Sequence, residues 1–164
     1  MEESPAGCIA RSGGVSDISH SYPIGLPFPA VDEATMRARV SGARVARLAT
    51  ASGEGRPHLV PICFALRGGT IYSAVDAKPK STWSLRRLAN VRARPEVAVL
   101  VDHYDDDWSR LWWVRVDGRG RVLESGPERD QALELLAAKY DQYRAQPPAG
   151  PVLAIDATGW RGWP

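Results

Sequence analysis

The sequence predicts a mainly β domain with peripheral helices, a six-stranded antiparallel barrel, and three observations lead there. Short alternating or apolar runs recur along the chain with Gly- and Pro-rich turns between them. One helical periodicity follows the third run and another precedes the last, so strands and helices do not alternate as they would around a parallel sheet. A chain of 164 residues can bury a single core, and an antiparallel barrel covers its own edges.

Residues 1–30 are rich in Gly, Ser and Pro and show neither a basic leading segment nor an apolar stretch. They read as a flexible tail, with 31–164 as one domain and Met36 as an alternative start. Residues 31–42 read as a short helix, with Asp32 and Glu33 in the first turn and Gly42 past its end. Residues 44–50 alternate, 51–55 turn, and 58–66 run back as the second strand of a hairpin. Arg67, Gly68 and Gly69 turn again into a third strand over 70–75. Residues 97–101 form a short apolar strand. Residues 111–123 form a long one, with Gly118 and Gly120 where a bulge could bend it. The clearest helix spans 127–143, with Leu133, Leu136, Ala137 and Tyr140 on one face. Residues 151–155 supply the sixth strand.

Composition narrows the function. The net charge is +2, with 44% hydrophobic and 24% charged residues, and no apolar run is long enough to cross a bilayer. A cytoplasmic protein is expected. Lys and Arg form neither the long runs nor the aromatic-interleaved patches of a nucleic-acid binder. Cys8 and Cys63 lack metal or redox spacing, so Cys63 reads as a small core residue. His103 with Asp102 and Asp105 to Asp107 matches no ligand motif; the three consecutive acids read as a solvated loop, and no metal is expected.

Against this near-balance, residues 76–94 carry six cations and, after Asp76, no acid. Leu85, Leu88, Ala89 and Arg92 share a helical face, and Pro79 suits a first turn, so a helix of about three turns is predicted. Lys78, Lys80, Arg86 and Arg87 would then gather where free N–H groups and the helix dipole favour an anion. The alternative is a solvated basic face.

Leu48-Ala49-Thr50, then Gly55-Arg56-Pro57-His58-Leu59-Val60-Pro61, resembles the opening hairpin of the pyridoxamine 5′-phosphate oxidase-like flavin and deazaflavin proteins. The strand ending Tyr72-Ser73, the pair Lys78 and Lys80, the helix Leu85-Arg86-Arg87-Leu88 and the strand start Arg94-Pro95-Glu96-Val97 follow in that family's order. The resemblance covers residues 43–163. It implies a split β-barrel of the FMN-binding-protein type, an obligate homodimer, and a flavin-like cofactor in the groove between protomers. His58-Leu59-Val60-Pro61-Ile62-Cys63 stands where true pyridoxamine phosphate oxidases carry Arg-x-x-Leu-Leu-Lys. With Trp112-Trp113 and the acidic 102–108 loop, this departure resembles the branch that uses coenzyme F420.

That resemblance points to an F420-dependent oxidoreductase acting on a small molecule. FMN-dependent chemistry on the same fold, or non-catalytic binding of F420, flavin or haem, are the alternatives. A flavin-type ring supplies its own hydride chemistry, so no nucleophilic or acid–base motif is expected and no catalytic residue is assigned. The expected cofactor contacts are Val60, Pro61 and Ile62 through their backbone, Ser73 through its hydroxyl, Lys78, Lys80, Arg86 and Arg87 at the anionic tail, and Trp112 and Trp113 at the ring. Pro61 interrupts a good strand, which marks an edge, a bulge or a ligand opening. Trp112, Trp113, Trp160 and Trp163 would either cover a ring or pack a dimer, and adjacent Trp112 and Trp113 must face opposite sides of their strand. Arg47 meets either a ligand or solvent, and His58 is more simply structural.

Overall fold

The computed structural model describes residues 31–75 and 85–164. The chain runs α1 (Glu33–Gly42), β1 (Ala46–Ala51), β2 (Pro57–Ile62), β3 (Ala65–Arg67), β4 (Thr70–Ala74), α2 (Arg86–Ala93), β5 (Glu96–His103), a 3-10 turn (Trp108–Arg110), β6 (Trp112–Leu123), α3 (Pro127–Lys139), α4 (Asp141–Ala145) and β7 (Val152–Trp163). All strand pairings are antiparallel, in the order β2-β1-β5-β6-β7-β4-β3.

The sheet has seven strands, where the sequence predicts six, because the run 58–66 is broken at Cys63 and Phe64. The break has a chemical cause. The Tyr140 hydroxyl accepts the Phe64 N–H at 3.0 Å and lies 2.8 Å from the Phe64 carbonyl and 2.7 Å from that of Arg44. Backbone groups that would have continued a ladder are satisfied by a side chain instead. β2 and β3 are therefore the two opposite edges of the sheet, yet only two residues join them. Three Cα steps reach at most about 11 Å. The end of one edge must meet the start of the other, so the sheet curls into a half-barrel with its seam at Cys63-Phe64.

Alternation fills the barrel. Leu48, Ile62, Ile71, Val97, Val99, Val101, Val114, Val116, Leu153 and Ile155 are buried in one core. Helix α1 closes one end: the Asp32 carboxylate caps it at the Thr35 N–H (2.8 Å), and Met36 and Val40, one turn apart, enter that core. Helix α3 lies on the outer face of β3, β4 and β7, where Ala132, Leu136 and Tyr140 meet Ala65, Ala74 and Val152. It begins at Pro127 as predicted, but ends at Lys139, and α4 forms a separate short helix.

A bulge lies at Gly118, where the sequence predicts one, but its extra residue belongs to the partner strand β7 and not to β6. Asp117 pairs with Gly159 but Gly118 with Ala157, leaving Thr158 unpaired. A Cβ at Gly118 would lie 2.7 Å from the Asp156 carbonyl oxygen, and one at Gly120 would lie 2.9 Å from Val91 of α2. Beyond the bulge β7 continues alongside β6 to Trp163, eight residues past the predicted end, because β6 offers an equally long ladder.

Helix α2 also differs from expectation. It starts at Arg86, with Leu85 at the N-cap, and is shorter than the three turns predicted; Pro79 lies outside the described residues. Its buried face is Leu88, Asn90 and Val91; Ala89 and Arg92 are exposed. Asn90 is held inside by a 2.9 Å hydrogen bond to the Thr50 hydroxyl, a polar tether that apolar periodicity does not register. Among the described residues no helix is long and apolar enough to cross a membrane.

Candidate functional site

The edge strand β2 carries the first three predicted contacts. Pro61 sits there exposed and paired with Arg47, where a missing N–H is least costly. Val60 packs partly against the core and Ile62 is buried in it, so their side chains face the barrel and only their backbone lies along the edge. Ser73 pairs with Leu153 and is buried in the same inward row as Ile71, so its side chain faces the interior.

Lys78 and Lys80 lie outside the described residues. Arg86 and Arg87 both stand in the first turn of α2, Arg86 exposed and Arg87 partly buried. This turn has no acidic residue and no side-chain cap. The positive end of the helix dipole favours an anion there and disfavours arginines. The sequence breaks a helix-forming rule at this spot, a pattern found where a ligand supplies the compensation.

The tryptophans separate as strand geometry requires. Trp112 is on the barrel side: Arg39 of α1 lies over its ring at 4.9 Å, and His103 stacks against it at 6.1 Å. Trp160 likewise packs on the core beneath Arg37, at 4.7 Å. Trp113 pairs with Trp163 in the neighbouring register. Helix α1 thus occupies two of the four rings with its own arginines, a role the sequence reading did not foresee. Arg47 is also engaged, in an ion pair with Asp102.

The acidic loop is committed to its own turn. Asp105 accepts from Arg110 and the Asp107 N–H, and Asp107 caps the 3-10 turn through Ser109, which holds its carboxyl below the usual carboxylate range. Among the described residues, no cluster of three or more potential metal ligands is present.

Two clefts flank these residues. One of about 570 Å³ lies on the outer face of β1, β5 and β6 near the bulge, lined by Ala49, Ala51, Pro57, Ala98, Gly118 and Thr158. No described helix covers this face, and Leu59 beside it is 66% exposed. The other, about 540 Å³, lies at the barrel rim by the end of α1. A third feature that sequence reasoning missed is a polar chain from Asn90 through Thr50 to His58 (2.9 and 3.5 Å). Its members come from α2, β1 and β2, and only the pairing of Thr50 with His58 across the hairpin could have hinted at it.

The sequence profile of the pyridoxamine 5′-phosphate oxidase family matches residues 32–164. No curated protein matches the chain. Among solved structures, a conserved hypothetical protein of Mycobacterium tuberculosis is similar with a TM-score of 0.67 at 22% identity, over 81% of this chain and 84% of that one. A FAD-binding protein of Mesorhizobium loti gives 0.63 at 23% identity, over 81% and 94%. The haem storage protein of Vibrio cholerae gives 0.63 at 13% identity, over 78% and 92%. These likenesses establish a common fold across proteins that bind different groups. The family match spans nearly the whole described domain, helix α1 through the last strand, and the chain belongs to the pyridoxamine 5′-phosphate oxidase family.

Proposed function

We propose that this chain is an oxidoreductase that binds a flavin-type cofactor, coenzyme F420 in preference to FMN, and passes a hydride between it and a small molecule. The observation that carries this reading is the first turn of α2, with two arginines, no acid and no side-chain cap. Such a turn fits the anionic tail of a flavin or deazaflavin, whose charge would meet both the guanidinium groups and the positive end of the helix dipole. When bound, the cofactor supplies the hydride chemistry itself. The chain's residues bind and orient: Arg86 and Arg87 hold the tail, the β2 edge at Val60, Pro61 and Ile62 offers backbone groups, and Trp113 presents an aromatic surface. Lys78 and Lys80 extend the cationic run in sequence, and a polyanionic tail rewards each added charge.

In this reading the protein works as a homodimer. The uncovered outer face of β2, β1 and β5 joins exposed Leu59 to a groove floored by alanines and Gly118, a surface of the kind that marks association.

Titration of the purified protein with F420 and, separately, FMN tests the cofactor. Quenching of tryptophan fluorescence by F420 at lower concentration than by FMN is expected. Replacing Arg86→Gln with Arg87→Gln should weaken F420 by roughly tenfold or more, most at low salt, as for two charge-assisted contacts. A protein that retains FMN or haem through purification and ignores F420 would refute the assignment.

A further inference from the structure

The cleft at the barrel rim lies between the C-terminal end of α1 and strands β1, β5 and β6, and encloses about 540 Å³. Its charged and aromatic lining is Arg39, Arg44, Arg47, Asp102, His103 and Trp112. Three arginines and one carboxylate line it, and that carboxylate is already paired with Arg47.

The other two arginines are held without being neutralised. Arg39 lies over Trp112 at 4.9 Å and gives an N–H to the Trp163 carbonyl at 3.0 Å. Arg44 lies over Tyr140 at 5.0 Å and gives an N–H to the Lys139 carbonyl at 3.3 Å. Stacking fixes a guanidinium plane while leaving its edge donors available, and each group has five N–H donors. Among the described residues neither Arg39 nor Arg44 has a carboxylate within ion-pair distance. Ten other described arginines do, Arg47 included, so the chain readily supplies such partners elsewhere. Arg39 and Arg44 both line this one concavity, and two arginines that are oriented but not neutralised suit a ligand with two negative groups. The concavity is of small-molecule size, and Val45 and Ala43 add apolar wall.

We propose that the rim cleft is a binding site for a small organic dianion, one carrying two carboxylate or phosphate groups, with Arg39 and Arg44 as its anchors. Of its lining only Trp112 is also an expected cofactor contact; its anchors Arg39 and Arg44 belong neither to α2 nor to the β2 edge.

Calorimetric titration of the full chain with phthalate, succinate and 2-phosphoglycolate tests it, against inorganic phosphate and sodium chloride at matched ionic strength. At least one organic dianion should bind saturably, one to one per chain, more tightly than inorganic phosphate, and should change tryptophan emission in wild type but much less in Trp112→Phe. Arg39→Gln with Arg44→Gln should lose tenfold or more in affinity. Arg39→Lys, which keeps the charge but not the planar fork, should fall in between. Arg115→Gln, outside the cleft, should bind as wild type, and circular dichroism should show every variant folded. Absence of saturable binding by all three organic dianions overturns the proposal, as does binding that survives the double variant or a preference for inorganic phosphate. Retained F420 affinity in the double variant would show the two sites to be separate; parallel loss of both ligands would overturn the separate site.

Discussion

Tyr140→Phe isolates the contact that splits the second predicted strand and forms the barrel seam. The ring stays, so the stacking of Arg44 and Lys139 and the packing against Ala65 and Val152 are retained. What is lost is one hydroxyl that accepts from the Phe64 N–H and can donate to the carbonyl of Phe64 or Arg44. A buried donor left unpaired costs about 1–3 kcal/mol, and the under-satisfied carbonyls add somewhat to that. A loss of roughly 3 kcal/mol is expected, which for a domain of this size lowers Tm by roughly 10 °C. Urea unfolding followed by tryptophan fluorescence measures it, as a lower midpoint at unchanged slope. The alkaline limb carries a second signature, because burial pushes the Tyr140 hydroxyl pKa above its ordinary value. The neutral form is favoured on folding, so its contribution is complete below about pH 10 and is lost as pH rises through the folded value. The variant should lack that part of the alkaline decline. A loss under about 0.5 kcal/mol, with an unchanged alkaline limb, would show that the seam does not depend on this hydroxyl.

Three further outcomes follow from the same structure. Gly118→Ala places a Cβ 2.7 Å from a backbone oxygen of the neighbouring strand, which cannot rotate away, and should cost about 1–3 kcal/mol in chemical denaturation. Arg121 bonds Glu128 and Asp156 and holds both carboxyls below the usual carboxylate range, stability that is present above about pH 4 and lost as pH falls through the folded values. Arg121→Met should therefore flatten the acid limb of a stability–pH curve between about pH 5 and 3, modestly because all three side chains are partly exposed; an unaltered limb would contradict the pairing. Leu59→Glu puts a charge on the uncovered sheet face and should shift sedimentation from dimer toward monomer, whereas a wild-type monomer would dispose of the shared-groove arrangement.

The elements that local pattern decides were legible in the sequence. Strand alternation, the start of α3 at Pro127 and the irregularity at Gly118 each depend on neighbours within a few residues. The failures have long-range causes. The seam at Cys63-Phe64 depends on a hydroxyl 76 residues away. The length of β7 depends on the ladder β6 offers, and the buried face of α2 on a tether to Thr50. For the candidate site, the sequence marked Arg86 and Arg87 by an unexplained local charge and Pro61 by a break in a strand. It could not place Ser73 inside the barrel, nor foresee that α1 would spend Arg37 and Arg39 on two tryptophans.

By itself the sequence determined the family order of motifs, the antiparallel character of the sheet and the cationic segment, because charge, periodicity and turn chemistry are local properties. Only the tertiary structure decided that β2 and β3 are opposite edges brought together. Only it could show which arginines find carboxylates and which stand oriented and unneutralised. Pairing and neutralisation depend on distances between residues far apart in the chain, and those distances exist only once the barrel has closed.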